Sequence, residues 1–441
     1  MQVRKSRIFA VLLSVATATT IALTGAPGAQ ADGQAPAHGR LLGSFEPQDQ
    51  VAHPAALTSP MKASAKDCAP VPVGSAARKA GATTACIQLT GRSDSRNPVA
   101  SSPLGTAQPA AAACSAAVGT WYYHRHDYCF NNGTANYTAY DEKNPTKVLG
   151  TGVLTISSSA TLSATSGQWE ESETVTLTKV TGAVTALNVG FTANCTASCT
   201  AVAPHPWAGS PLLTVGQSVS GTVTYAANPG AGVESKITTS YDMNITQPGA
   251  TPLNAHSKWS NPRQVRCDTT FASNTSTGCV ISDVRAQLIL PLSSYGAAAA
   301  TYGWAEQNLI DHWGSSGNPL QRLADVAAQA ANRRNTCEGG ATIPFVVSSA
   351  VTDDSCDEYP FAGTLQGGKN GGLCANIIPQ LENGTWKFYQ APNTPAVTLN
   401  EPCVRGHVPS TQNSAAGGKL GSNNQTERVL DTEKFDVVVT S

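Results

Sequence analysis

DDSCDEYPFAGTLQGG (353–368) gathers Asp353, Asp354, Asp357 and Glu358 around Cys356, continues into Tyr359-Pro360 and ends on a glycine pair. Adjacent residues of a strand face opposite ways, so Asp357 and Glu358 can serve one site only if the chain turns there. The Tyr359-Pro360 step permits such a turn, because a residue before proline is pushed out of the helical region. A hard divalent cation takes oxygen ligands, and a carboxylate beside it can take a proton from water. By itself the stretch reads more readily as a solvated acidic turn than as a site, with Cys356 a staple rather than a nucleophile.

The chain around it reads as an α+β domain over 256–441. QVRCDTTFASNTSTGCVI (264–281) places Cys267 and Cys279 about a polar loop, as in a disulfide-closed hairpin. TYGWAEQNLIDHW (301–313) and PLQRLADVAAQAANRR (319–334) have helical texture. In the second, Leu320, Leu323, Ala327 and Ala330 recur at helical spacing, and Arg333 and Arg334 stand where a helix C-terminus favours cations. TIPFVVSS (342–349) is strand-like, and RVLDTEKFDVVVT (428–440) predicts a final strand.

The preceding segment, 110–255, has a different character. SETVTLTKV, ALNVGFTANC, GTVTYAAN and SKITTSYDMNI are rich in Thr, Val and Tyr, and Val175 and Leu177, Leu187, Val189 and Phe191, and Tyr241, Met243 and Ile245 alternate with polar residues. Half-buried antiparallel strands fit this pattern, as in an all-β, sandwich-like domain of unassigned role. WYYHRHDYC (121–129) sets His124 and His126 on one side of an extended strand, either as a polar face or as a metal pair. Residues 32–109, rich in Ala, Pro, Gly and Ser, read as a low-complexity pro-segment or linker. Residues 1–31 read as a signal peptide: Arg4, Lys5 and Arg7 precede a short apolar run and the small residues AQA. Export follows as the expectation.

All 12 cysteines lie beyond that leader: Cys68, Cys86, Cys114, Cys129, Cys195, Cys199, Cys267, Cys279, Cys337, Cys356, Cys374 and Cys403. An even number in an exported chain implies disulfides, and pairing each with its neighbour is the simplest of many connectivities. Zinc-thiolate sites are the competing reading, but there is no CxxC, although Cys403 has a histidine close by, His407. The formal net charge is −1, which does not announce a nucleic-acid partner. G-x-S-x-G, H-E-x-x-H and P-loop signatures are all missing from the sequence.

A second constellation changes the weight of the first. RGHVPSTQNSAAGGKLG (405–421) holds His407 and Asn413, followed by small residues and Gly417-Gly418. An Asn side chain is a neutral oxygen ligand, and small residues allow phosphate to come close. CDEYPFAGTLQGG, then VPSTQNSAAGG, then a terminal RVLD-x-x-x-F-x-V strand together resemble the secreted bacterial deoxyribonucleases of the NucA/NucB type. The likeness runs over about 264–439 and also takes in VRCD…GCV, NPLQRL and NRRNTC.

The resemblance implies a compact metal-dependent DNA endonuclease of low sequence specificity with a ββα-metal-like core, using Mg2+ or Mn2+. Carried over, Asp357 is the general base, Glu358 supports the base or the metal, and Asn413 is a metal ligand. A base working near neutral pH is expected to have an ordinary or depressed pKa, helped by the cation. The short members of the family read Asp-Arg-Asp-Glu where this chain has Ser355 and Cys356 before Asp357, so another cation must meet the phosphate. Arg405, Lys369 and Arg428 are candidates, with His407 in support. The short members also have Asn-Arg where this chain has Asn413-Ser414. From 301 to 441 there are 9 Lys and Arg against 14 Asp and Glu. Two alternatives therefore stand beside the nuclease: an inactive envelope- or matrix-binding protein, and a secreted toxin nuclease with an inhibitor or immunity partner.

Overall fold

The computed structural model describes residues 39–47, 56–90, 102–103, 114, 116–141, 143–248, 255–271 and 276–441. The expected signal peptide lies outside these residues. Among them, no helix is long and apolar enough to cross a membrane. The cysteines form six disulfides, 68–86, 114–129, 195–199, 267–279, 337–356 and 374–403, each pairing a cysteine with the next along the chain.

The Thr- and Val-rich runs become long antiparallel strands. Gln168–Gly182 lies between Asn144–Thr161 and Gln217–Ala227 in a ten-stranded sheet. Leu187–Cys195 and Thr239–Thr246 pair in a four-stranded sheet. Alternation explains the core: Val175 and Leu177 from the first sheet and Leu187, Val189, Phe191 and Tyr241 from the second share one buried cluster. Glu171 and Glu173 fall in phase with Val175 and are carried into that core, both 0% exposed. Tyr225 and Tyr241 hydroxyls donate to Glu171 at 2.9 and 2.7 Å, and Ser158 donates to Glu173 at 2.6 Å. Burial pushes the Glu171 carboxyl up to about 7, against the pull of those hydroxyls.

Two expected boundaries move. The stretch expected as a pro-segment or linker supplies structure to both halves. Leu57–Pro60, Asp67–Pro70 and Thr84–Thr90 join the ten-stranded sheet, whereas β1, Leu41–Phe45, is an edge strand of the C-terminal sheet. Composition misleads here because a few residues suffice: Phe45 is 3% exposed in the C-terminal core. The β-rich region also runs past 255. His256–Ser260 pairs with Thr239–Thr246, and the disulfide-closed hairpin of β2, Val265–Asp268, and β3, Gly278–Val280, pairs with Glu234–Ile237. Cys267 and Cys279 face each other in its register, as their spacing predicts.

The C-terminal core begins with β4, Ala286–Pro291, and α1, Leu292–Asn308. It continues through β5, Leu320–Gln321, and α2, Val326–Cys337. Then come β6, Asp354–Tyr359, β7, Ala375–Glu382, and β8, Thr385–Gln390. β9, Val404–Pro409, leads into α3, Ser410–Thr426, and β10, Lys434–Thr440, closes the chain. The larger sheet has the order β1-β8-β7-β9-β6 and the smaller β4-β10-β5. α1 packs on both sheets and on α3, so it is buried nearly all round from Ala297 to Ala305.

Two local expectations change. PLQR is not helical: Leu320 enters a strand and the core, and the helix starts only after Asp325, whose carboxylate accepts from the Ala327 and Ala328 amides. TIPFVVSS is an irregular segment rather than a strand. The Asn413 region is the first half of α3, with Gly417 and Gly418 inside the helix.

Candidate active site

β6 is an edge strand. β9 pairs with one side of it, setting Cys356 opposite His407, Asp357 opposite Gly406 and Glu358 opposite Arg405. Its other side borders a cleft of about 830 Å³ whose walls include Asp357, Glu358, Asn413, Tyr302, Arg322 and Arg333. This resolves the question raised by adjacent carboxylates. They do face opposite sides of the strand, and both reach one cleft because the cleft lies along the strand's edge.

Asp357 points toward α1 and is 4% exposed. The Tyr302 hydroxyl donates to both of its oxygens, at 2.9 Å to Oδ1 and 2.8 Å to Oδ2. Burial pushes the Asp357 carboxyl up to about 8; the Tyr302 hydrogen bond pulls it down and the Glu358 charge adds to the rise. The pKa expected to be ordinary or depressed is thus raised, because the packing of α1 removes water from this side of β6. Gly406 allows that packing: a Cβ there would stand 2.6 Å from Thr301 Oγ1.

Glu358 projects from the opposite face with its side chain 12% exposed, and its Oε1 lies 3.8 Å from Arg333 Nε. Burial raises its pKa and the Arg333 charge opposes the rise. The covalent frame brings this pair together. Arg333 and Cys337 are one helical turn apart on α2, Cys356 and Glu358 share a face of β6, and the 337–356 disulfide joins the two elements.

α3 supplies the third side. Asn413, Gly417, Leu420, Gly421 and Asn424 lie on one helical face and line the cleft. Asn413 Nδ2 donates to the Cys356 carbonyl at 2.9 Å and to Ser355 Oγ at 3.1 Å, and Ser355 Oγ donates in turn to the Val408 carbonyl at 2.8 Å. A carbonyl only accepts, so the nitrogen must face it, and Oδ1 is the open atom of the amide. The preceding residue docks the helix: Gln412 Oε1 accepts from the Ala297 amide at 2.7 Å, beside a break in α1 at Gly296, where φ is 47°.

The cations named from the sequence as phosphate contacts are not brought to this cleft. Arg405 is 1% exposed and donates to Asn376 Oδ1 and the Ile343 carbonyl, both at 2.8 Å. Arg428 is 1% exposed and is bound to Asp268, with Nε 2.9 Å from Oδ2. Lys369 is exposed and does not line the cleft. His407 lies under Phe345, with ring centroids 4.4 Å apart, and its Nδ1 is 2.7 Å from Asp354 Oδ2. Asp354, expected in solvent, is therefore a buried partner, its side chain 2% exposed, while Asp353 remains exposed. His124 and His126 form no pair either; they engage Asp127 and Glu427 separately.

Arg322 and Arg333 are the cationic residues that do line the cleft. The signal for Arg333 was available in NRRNTC, four residues before a cysteine bound to the acidic motif. Nothing in PLQRL marks Arg322. Among the described residues, no group of three or more His, Cys, Asp or Glu is arranged to hold a metal ion.

Residues 313–388, which include Asp357 and Glu358, match the family model Deoxyribonuclease NucA/NucB. No curated protein matches the chain, and no solved structure does. The matched segment carries the acidic edge strand and the helix disulfide-bonded to it, and it supports a NucA/NucB-family deoxyribonuclease domain in the C-terminal part of this chain.

Proposed function

We propose that this protein is a secreted, metal-dependent endonuclease that hydrolyses phosphodiester bonds of DNA with low sequence specificity, and that Asp357 is its general base. The observation that carries the proposal is a buried carboxylate at the edge of a cleft, its pKa raised to about 8, inside the segment that matches a deoxyribonuclease family. A base is most effective when its pKa lies near the working pH. Asp357 would take the proton as water attacks phosphorus and the bond to the leaving sugar oxygen breaks. Tyr302 holds the carboxylate in place for that transfer.

The donor set suits a hard divalent cation such as Mg2+ or Mn2+. The Asn413 amide is oriented by its nitrogen, which leaves Oδ1 open, and Glu358 on the same cleft would supply a second oxygen ligand. A cation held there would offset charge on the phosphate and lower the Asp357 pKa. Arg333 takes the place of the family arginine missing before Asp357, reaching the cleft from α2. The antiparallel pair of β6 and β9, running on into α3, supports reading the core as ββα-metal-like. Export is supported by the basic and apolar leader together with six disulfides.

The test is nicking of supercoiled plasmid by the purified protein with Mg2+, Mn2+ or EDTA. EDTA should abolish nicking, and Asp357→Asn should slow it by about 10²–10⁴-fold, the usual contribution of a general base. Full-rate nicking by Asp357→Asn would remove Asp357 from the mechanism. Absence of nicking by the wild type under every metal would remove the nuclease function.

A further inference from the structure

We propose that Phe271 of the β-rich region positions Arg322 to hold a backbone phosphate of the substrate, so that this region completes the nuclease cleft. The inference rests on the nuclease reading above and extends it to a part of the chain outside the matched residues 313–388.

The cleft is not built by the C-terminal core alone, because Thr270 and Phe271, just beyond β2, form part of its wall. Phe271 is 6% exposed. Two guanidiniums lie over its ring, Arg322 at 4.7 Å and Arg428 at 5.3 Å from the centroid. A guanidinium is attracted to the electron-rich face of an aromatic ring, so the ring fixes where the cation sits.

Arg322 has few other restraints. Its Nη1 donates to the Val429 carbonyl, and among the described residues neither Nε nor Nη2 has a hydrogen-bond partner. A purely structural arginine in this fold looks different: every nitrogen of Arg428 is bonded, to Asp268 and to the Ala164 carbonyl. Arg322 instead presents free donors of a rigid planar group to an open cleft, the geometry that matches phosphate oxygens.

Both supports of Arg322 are set by the same buried junction. Burial would raise the Asp268 carboxyl, but Arg428 and the Thr270 hydrogen bonds together hold the group below its ordinary value. Asp268 Oδ1 accepts from Thr270 Oγ1 at 2.9 Å, which fixes the chain next to Phe271. Arg266 Nη1 and Arg125 Nη2 reach Glu433 at 2.6 and 2.8 Å, and Arg266 Nη2 donates to the Arg428 carbonyl, next to Val429. The β-rich region thereby holds both the ring under Arg322 and the backbone to which Arg322 is bonded.

The test measures DNA binding in the Asp357→Asn background, using a labelled duplex between about 50 and 200 mM salt, and cleavage in proteins that retain Asp357. Each phosphate contact contributes about one to the slope of log affinity against log salt. Arg322→Gln should lower the slope by about one. Phe271→Leu, which keeps an apolar side chain but loses the aromatic face, should lower it nearly as much although Arg322 is intact. Phe271→Trp should restore it. In cleavage assays KM should rise with kcat little changed, as for binding lost equally from ground and transition states. If the wild type cleaves plasmid while Arg322→Gln and Phe271→Leu keep the parent slope and KM, this inference is wrong and the nuclease reading stands. A lowered slope for Arg322→Gln alone would remove Phe271 from the role. If the wild type neither binds nor cleaves DNA, both readings fall.

Discussion

Replacing Tyr302 by Phe removes a single oxygen, the hydroxyl that donates to both carboxylate oxygens of Asp357. The ring keeps its packing against Tyr359 and Phe361, so the change is mainly electrostatic. The Tyr302 bond is the interaction that lowers the Asp357 pKa against burial. A hydrogen bond to a charged group contributes about 1.5–3 kcal/mol, and one pKa unit corresponds to about 1.4 kcal/mol. The Asp357 midpoint should therefore rise by roughly one to two units. The rate at neutral pH should fall about 10- to 100-fold, and the rate on the alkaline plateau should fall much less. The assay is the initial rate of plasmid nicking from about pH 6 to pH 10 at constant ionic strength and saturating metal. Bound cation lowers both midpoints, so the difference between the two proteins is the quantity read. Equal midpoints with a uniform loss of rate would refute the assignment of Asp357 as the titrating base.

Three further outcomes follow from the geometry. Replacing Cys337 and Cys356 together by Ser opens a loop with a sequence separation of 19. It should cost about 3 kcal/mol in a denaturant titration, and it should also raise KM by freeing Arg333 from Glu358. Arg428→Ala leaves the buried Asp268 carboxylate with only the longer Arg266 contact, 3.7 Å from Nε, and the Thr270 hydroxyl, and should destabilise the protein by about 3 kcal/mol; thermal melts of the variant and of an Arg428→Ala, Asp268→Ala double variant would separate the under-compensated charge from lost packing. Glu171 has a folded-state pKa raised from 4.5 to about 7. Its neutral form is the favoured one, so its contribution to stability is complete below about pH 4.5 and is lost as pH rises through 7. Wild type should lose about 3 kcal/mol across that window and Glu171→Gln distinctly less, as read by denaturant midpoints at each pH.

Strands, disulfide partners and the acidic motif were legible because they depend on neighbours in sequence. Alternation at Val175 and Leu177 or at Leu187, Val189 and Phe191 reports which face is dry. The same alternation places Glu171 and Glu173 inside, a signal easily passed over because carboxylates are seldom buried. The start of α2 was misplaced because Leu320 and Leu323 fit a helical period, whereas Leu320 is held in a strand by pairing with β10. β1 was illegible because the strand it completes is more than 300 residues away, Phe45 pairing with Trp386.

The sequence by itself determined which residues the acidic motif and the second constellation carry, and that the cysteines are even in number. Asp357, Glu358 and Asn413 are named by motif, whereas the cysteine order offers neighbour pairing as the simplest of many connectivities and the fold selects it. Which cations line the cleft was decided only by the tertiary structure. Arg405 and Arg428 look as available in the sequence as Arg322 and Arg333, yet the first two are buried against Asn376 and Asp268 and the last two face the cleft. The charge on Asp357 was decided there as well, because its pKa depends on the water that α1 excludes and on a hydroxyl 55 residues away. Motifs record which groups the chain carries; burial and partners, which set what a charge can do, arise only when distant segments pack together.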